Sequence, residues 1–501
     1  MVLLGIDVGS TGCKAISFDI NGALLKTAYR AYPMYYPQQG YRELDGEQVF
    51  AAVLECIDEC CADGIGTEVR ALAISAQGEA MVPIDRNGTV LANTMVTFDT
   101  RNTVETEWIR THLDGGYITK STGLPLHTMF SLPKLLWIKN HQPDIYNAAW
   151  KFLCFADFVA YRLGAEPVMD HALASRTMLF NIPQGRWDQA ILTGADIDGD
   201  KLPALAPCGT PVGTVRDEYR RRFGFAPGVI IAAGGHDQIC CALGAGVVSG
   251  GDAMNSMGTT DTILCVGDSF NAGTLQTEYN IPCGSSAIPG LYACHSFVLS
   301  TGSVIQWFRN TFCGPGTSYA ALDAEAAQLN APTGMYLLPH FSGSGTPSLD
   351  SLSRGILAGL SIETGKAGIY RAVLEGICYE LLVNIRNMEK AGTPIKRLKC
   401  IGGGAKSDFY LQLKADITGK SVVKLRVEEA GCLGAALLAG IGAGSIKDVT
   451  AVLNTFTAEE KTFLPEEDAH QKYTGYFEKY QSLYGMSKTL FDYGDSRGFP
   501  G

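Results

Sequence analysis

The chain has 501 residues, 46% of them hydrophobic and 18% charged, with a net charge of −11. That length suggests two or more domains, and the acidic balance argues against a broad nucleic-acid or anionic-membrane surface. It leaves an anionic ligand open, because backbone amides bind phosphate without Lys or Arg. Fifteen cysteines occur with no C-x-x-C pair, no secretory signal opens the chain, and no run reaches about 18 apolar residues. The expected setting is therefore a reducing cytoplasm, with no membrane or nucleic-acid partner.

In chain order, "LLGIDVG" (3–9) reads as an apolar strand ending in Asp-x-Gly. "STGCK" turns, "AISFDI" returns, and Asn21-Gly22 marks the tip of a further hairpin. "GEQVFAAVLECIDECCADG" (46–64) has helical spacing and leads into the strand "VRALAISAQ" (69–77). "FAPGVIIAAGG" (225–235) is another strand, and it runs into "HDQICCALGAG", a helix of small apolar residues headed by an acid. "DAMNSMGTTDTILCVGD" (252–268) repeats the strand, glycine turn and strand of the first residues. Its Gly258 stands 249 positions after Gly9, which suggests a duplicated unit. Residues 369–392 read as a long helix, 395–419 as strand, glycine loop and helix, and 430–444 as a buried helix rich in Gly and Ala. Strands that end in glycine loops opening helices predict mostly parallel α/β layers with ligands at the strand ends. A break near 245–251 would give domains 1–247 and 248–485, followed by a weakly ordered tail, 486–501.

Three glycine loops offer backbone amides to a phosphate. They are "DVGSTGCK" with Asp7, Gly9, Ser10, Thr11 and Lys14; "GTTD" with Gly258 and Thr259; and "GGGAKS" with Gly403, Gly404 and Ser407. The first loop returns to a strand, so it is not a dinucleotide fingerprint, and no Walker-type lysine loop is present. Asp237, at the head of a helix, reads either as a cap or as a general base that takes a proton from a hydroxyl attacking a phosphorus.

"GIDVGSTGCK", "LAISAQGEAMVPIDRNG", "MFSLPKLLWIKNH" (129–141), "GGHDQ", "MGTTD", "TGSVIQWF", "LPHFSGSGTP" and "GGGAKSDFYLQLKADITG" follow one another in the order found in the FGGY-type carbohydrate kinases. The chain resembles that family over about residues 1–485. The resemblance implies two actin-like (ribonuclease H-like) α/β ATPase domains around a cleft. It implies ATP and Mg2+ as cofactors and a small sugar or polyol as acceptor, with a homodimer as a family-level expectation. Asp237 would be the base. Asp7, Gly9, Ser10, Thr11 and Lys14 would face the phosphates, with Asp7 near Mg2+ through water, and Gly258 and Thr259 would form the second phosphate loop. Gly302 and Gln306 would contact nucleotide, and Gly403, Gly404 and Ser407 would flank the adenosine. The acceptor would draw on Gln77, Gly78, Glu79, Asp99 and Gln238, with His236 either touching it or orienting Asp237.

Gly78-Glu79 stands where glycerol kinases carry Arg-Glu and xylulokinases Met-His. Phe98 replaces a tryptophan, and Met129 an aromatic residue. These departures leave phosphoryl transfer intact and the acceptor open. A ketopentose such as xylulose comes first, then glycerol, erythritol or gluconate. A non-catalytic sensor of the same fold is the rival reading.

Overall fold

The computed structural model describes residues 1–490 apart from Glu428. Two large sheets carry the chain. The first has six strands: β1 (Val2–Val8), β2 (Gly12–Asp19), β3 (Leu24–Ala31), β4 (Val69–Ala76), β5 (Pro211–Thr214) and β6 (Ile230–His236), in the order β5-β6-β4-β1-β2-β3. The second has seven: β7 (Gly251–Met257), β8 (Asp261–Gly267), β9 (Cys283–Ser285), β10 (Tyr292–Val298), β11 (Ile395–Ile401), β12 (Ser421–Leu425) and β13 (Glu459–Phe463), in the order β9-β10-β8-β7-β11-β12-β13. Each sheet is built on a three-strand antiparallel meander, β1-β2-β3 or β7-β8-β10, followed by two parallel additions, β4 and β6 or β11 and β12. The likeness seen between Gly9 and Gly258 thus extends to the order of five strands. The expectation of mostly parallel sheets is corrected: within these two sheets only β1–β4, β4–β6, β7–β11 and β11–β12 run parallel, and the short turns after β1, β2 and β7 each return the chain antiparallel.

Strand alternation sets up the layers. Along β1, Val2, Leu4, Ile6 and Val8 enter a core beneath α1 (Gly46–Cys60). Leu3 enters a different core, and Gly5 and Asp7 share its face. That second face is covered by α7 (Ala430–Gly442), which follows a strand of the other sheet. Conversely α3 (Asp237–Gly244), which follows β6, reaches β7 and β8. The two helices cross between the sheets, and their joint core includes Leu3, Ala73, Ile239, Leu243, Met254, Leu264, Leu433 and Leu437.

The small residues of both helices are a consequence of this crossing. A Cβ at Gly434 would lie 1.9 Å from the Cys240 carbonyl oxygen, one at Gly244 2.0 Å from that of Ala430, and one at Gly5 1.8 Å from that of Cys432. The fifteen cysteines are all free, and all but Cys241 and Cys313 are buried, as expected of small apolar residues. Among the described residues no helix is long and apolar enough to cross a membrane. Of the segment assigned to a weakly ordered tail, residues 486–490 complete a helix, Leu483–Leu490, and 491–501 lie outside the described residues.

Candidate active site

Gly234 and Gly235 let β6 pass close to β4. A Cβ at 234 would sit 1.7 Å from the Ile74 carbonyl oxygen, and the register shifts between Ala232 and Gly235. The strand then delivers Asp237 as the first residue of α3. The cap position itself belongs to His236, whose side chain makes no capping bond. Asp237 is therefore not a helix cap, although its Oδ1 accepts from the Gln238 amide at 2.5 Å. Its side chain remains 30% exposed, and His236 Nε2 lies 3.3 Å from Oδ1. Burial, then the charges of Asp7 and Glu79, push the Asp237 carboxyl up to about 7. Burial and the nearby Arg176 hold the His236 imidazole well below its ordinary value, so it is neutral at pH 7.

Asp7 ends the inner face of β1. Ser75 Oγ donates to its Oδ1 at 2.6 Å, and burial raises its carboxyl against the opposing pull of Ser75 and Lys14. Beyond it the β1–β2 turn closes through Gly9 N to Gly12 O at 3.0 Å, with Ser10 half-buried and Thr11 exposed. Tyr32 Oη (2.5 Å) and Gln77 Nε2 (3.3 Å) both donate to the Gly9 carbonyl. Gln77, expected at the acceptor, therefore braces the β1–β2 turn. Lys14 reaches Glu429 Oε1 at 2.5 Å, just before α7, and Gly431 leaves a Cβ position only 3.5 Å from the Asp7 carboxyl. Nothing in the sequence tied Glu429 to a loop over 400 residues away.

Among the described residues no three His, Cys, Asp or Glu side chains converge as a metal cage. The oxygen of Asp7 beside a turn of amides and hydroxyls is nonetheless the donor type that Mg2+ takes together with water and phosphate oxygens. The residues present fit that ion as a companion of a nucleotide.

In the second sheet, all seven positions expected at the nucleotide line one cavity of about 520 Å³: Gly258, Thr259, Gly302, Gln306, Gly403, Gly404 and Ser407. The β7–β8 turn is stitched to the start of α4 (Gly302–Phe312), where Gly302 N donates to Gly258 O at 3.2 Å. A Cβ at Gly302 would stand 2.2 Å from that carbonyl oxygen, so only glycine permits the contact. Ser407 caps α6 (Asp408–Thr418) and donates to Asp323 Oδ2 at 2.7 Å, while Tyr370 Oη holds Oδ1 at 2.8 Å. Asp323 lines the same cavity and carries no sequence signature. Beneath the turn lies a buried network in which Lys414 meets Asn255 and Asp261, and Asp261 accepts from Thr301 at 2.8 Å.

The acceptor side is built differently. Glu79 has a positive φ of 66° and is 1% exposed. Its Oε1 accepts from Arg176 Nε at 2.6 Å and Nη2 at 2.5 Å, and its Oε2 accepts from Thr97 Oγ1 at 2.8 Å. A Cβ at Gly78 would lie 2.8 Å from His236 Cδ2 and 3.2 Å from Arg176 Cγ, so the space of a side chain there is already filled. Gln238 Oε1 is buried with no hydrogen-bond partner among the described residues, which leaves a lone pair for a hydroxyl.

Asp99 is corrected. It is wholly buried, its Oδ1 accepts from Arg101 N and Nε, and its Oδ2 accepts from Arg42 N at 2.7 Å and Arg101 Nη2 at 2.6 Å. No lone pair remains for a sugar. Arg101 in turn pairs with Glu43 at 2.7 Å and stacks over Tyr41 and Trp137.

The segment of α2 (Ser131–His141) is the floor of this region. Ser131 Oγ donates to the Glu79 carbonyl at 3.2 Å, and Trp137 backs Arg101. Lys134 Nζ is buried without a hydrogen-bond partner, and burial lowers it to about 8 against the pull of Glu79 and Asp99.

A doubled sheet with a glycine turn in each copy, an acid at the end of one sheet and a large cavity on the other is the two-domain actin-like ATPase fold. The chain belongs to the FGGY family of carbohydrate kinases: the family's N-terminal domain matches residues 2–244 and its C-terminal domain residues 253–443. It is a sugar kinase. A xylulose kinase of Staphylococcus epidermidis is 31% identical over 98% of this chain and 97% of that one. A glycerol kinase of Saccharolobus islandicus is 30% identical over 97% of this chain and 98% of its own. The ligand-bound xylulose kinase structure from Lactobacillus acidophilus shares the fold with a TM-score of 0.89 at 24% identity, covering 98% of this chain and 99% of that one.

Proposed function

We propose that the protein transfers the γ-phosphate of MgATP to a hydroxyl of a neutral ketopentose such as xylulose, with Asp237 as general base. The observation that carries this is Asp237 itself. It is partly exposed at the head of a rigid apolar helix, with its carboxyl at about 7, where a base is half ready and still strong enough to pull a proton. The amide of Gln238 and the neutral ring of His236 fix its orientation. Glu79 and Gln238 hold acceptor hydroxyls. Ser10, Thr11, Gly258 and Thr259 cradle phosphate, and the Gly302, Gly403 and Ser407 walls take the nucleoside. Mg2+, held near Asp7 through water, would neutralise phosphate charge. Residues 1–247 are the acceptor domain in this reading and 248–485 the nucleotide domain.

Charge favours a neutral acceptor over a sugar acid. Arg176 is spent on Glu79, Lys134 is buried and Lys14 is paired with Glu429, so a substrate carboxylate would meet the carboxyls of Asp7, Glu79 and Asp237 without a cation held ready for it among these residues. A short polyol is the second reading, supported by the glycerol kinase relative. The test is ADP release from MgATP across ketopentoses, polyols and sugar acids. The expected result is a strong response to one neutral compound. Turnover confined to a sugar acid would overturn the charge argument, and silence across the panel would overturn the kinase reading of the site.

A further inference from the structure

Glu79 and Asp237 stand on different elements of the first sheet, and a chain of side chains joins them through a residue of the second. Arg176, anchored on Glu79, turns its remaining Nη1 to His295 Nε2 at 3.5 Å. His295 lies on β10 and is 9% exposed, and its ring stacks on that of His236 with centroids 6.1 Å apart and planes 22° apart. His236 Nε2 then faces Asp237 Oδ1 at 3.3 Å. An arginine only donates, so His295 presents a bare Nε2 to it. Both rings are neutral imidazoles. Burial, Arg176 and each other's proximity keep His295 well below its ordinary value.

The backbone around this contact also crosses between the sheets. Ser285 N donates to Ser175 Oγ at 2.9 Å, and Cys283 N to Gly123 O at 2.9 Å. Gly78 gives the rings their room, because any side chain there would strike His236 and the Arg176 stem.

We propose that His295 is a positioning residue for the acceptor pocket: reaching across from the second sheet, it fixes Arg176 on Glu79 and His236 against Asp237, so the pocket is complete only when the two sheets are docked at this edge. The pocket so completed suits the neutral polyhydroxy acceptor argued above, and the inference rests on that reading.

The test compares His295→Ala, His295→Gln and wild type in steady-state turnover with D-xylulose, glycerol and erythritol, and in calorimetric binding of the same compounds and of MgATP. His295→Ala is expected to raise the acceptor KM and Kd about tenfold, the loss typical of a partner removed from a charged group, while the MgATP constants move less than about twofold. His295→Gln, which can still accept from Arg176, should recover most of that loss. An unchanged acceptor constant in His295→Ala, or equal weakening of acceptor and nucleotide, would overturn the proposal. Failure of the glutamine to rescue would also count against it. If the wild type binds an acceptor without turning it over, the kinase assignment of the site fails while calorimetry still decides on His295. If it binds none of them, both readings fall.

Discussion

Around Glu79, charged side chains are buried against one another: Arg176 on Glu79, Arg101 on Asp99 and Glu43, and Lys134 beneath them. Around Gly258 a cavity of about 520 Å³ is lined by Gly258, Gly302, Gly403 and Gly404 together with uncharged side chains such as Ile305, Tyr370 and Leu374. The two regions stand on equivalent sheets, yet in the proposed reading one recognises its ligand through paired charged side chains and the other through glycine turns. A nucleotide's phosphates need only N–H groups at the right spacing. A sugar has to be told from its neighbours by individual hydroxyls, and a pocket does that with groups that are costly to leave unpaired.

The base between these regions should give the largest effect. Asp237→Asn is expected to lower kcat by about 10²–10⁴-fold with sugar and MgATP still bound, as read by turnover beside calorimetry. Near-normal turnover would remove Asp237 from the mechanism. On the backbone side, Gly302→Ala forces a Cβ to 2.2 Å from the Gly258 carbonyl oxygen and should raise the MgATP KM more than about tenfold with little change in acceptor binding. On the side-chain side, Arg101→Ala strands the buried Asp99 and should cost about 3–5 kcal/mol of stability, visible as a lowered Tm. An activity loss without a stability loss would return Asp99 to the acceptor.

The pH profile sharpens the contrast. With the base at about 7, kcat/KM for the sugar should climb as pH rises through 7 and level off above, because only the deprotonated carboxylate accepts a proton. The smallest effect is expected from Glu429→Gln. Its partner Lys14 is partly exposed, so solvent screening limits the change to less than about 1 kcal/mol, measured as MgATP affinity.

Much of the fold was legible because turns and alternation are local. Gly9, Asn21-Gly22 and Gly258 announce hairpins, and the glycines before Asp237 announce a strand feeding a helix. The nucleotide wall was legible for the same reason, since each of its glycines sits in its own short motif. The acceptor side was not. Arg176 and His295 have no motif of their own, as Glu429 beside the first turn and Asp323 in the second sheet's cavity have none, and what each does arises from contacts between positions far apart in the chain. Asp99 was misread because a carboxylate in a polar stretch looks available until Arg101, two residues on, is seen to saturate it. The parallel-sheet expectation failed where short turns, such as those after Val8 and Met257, reversed the chain.

The crossing of α3 and α7 carries a consequence for anyone dividing the gene. A fragment ending at residue 247 would keep β1, β4 and β6 but lose the helix that roofs them, exposing Leu3, Ala73 and Ala232 to water. Supplying 248–490 as a separate chain should restore that roof. The two pieces are therefore expected to behave as a split protein, insoluble apart and reassembling when co-expressed, rather than as two modules to be borrowed singly.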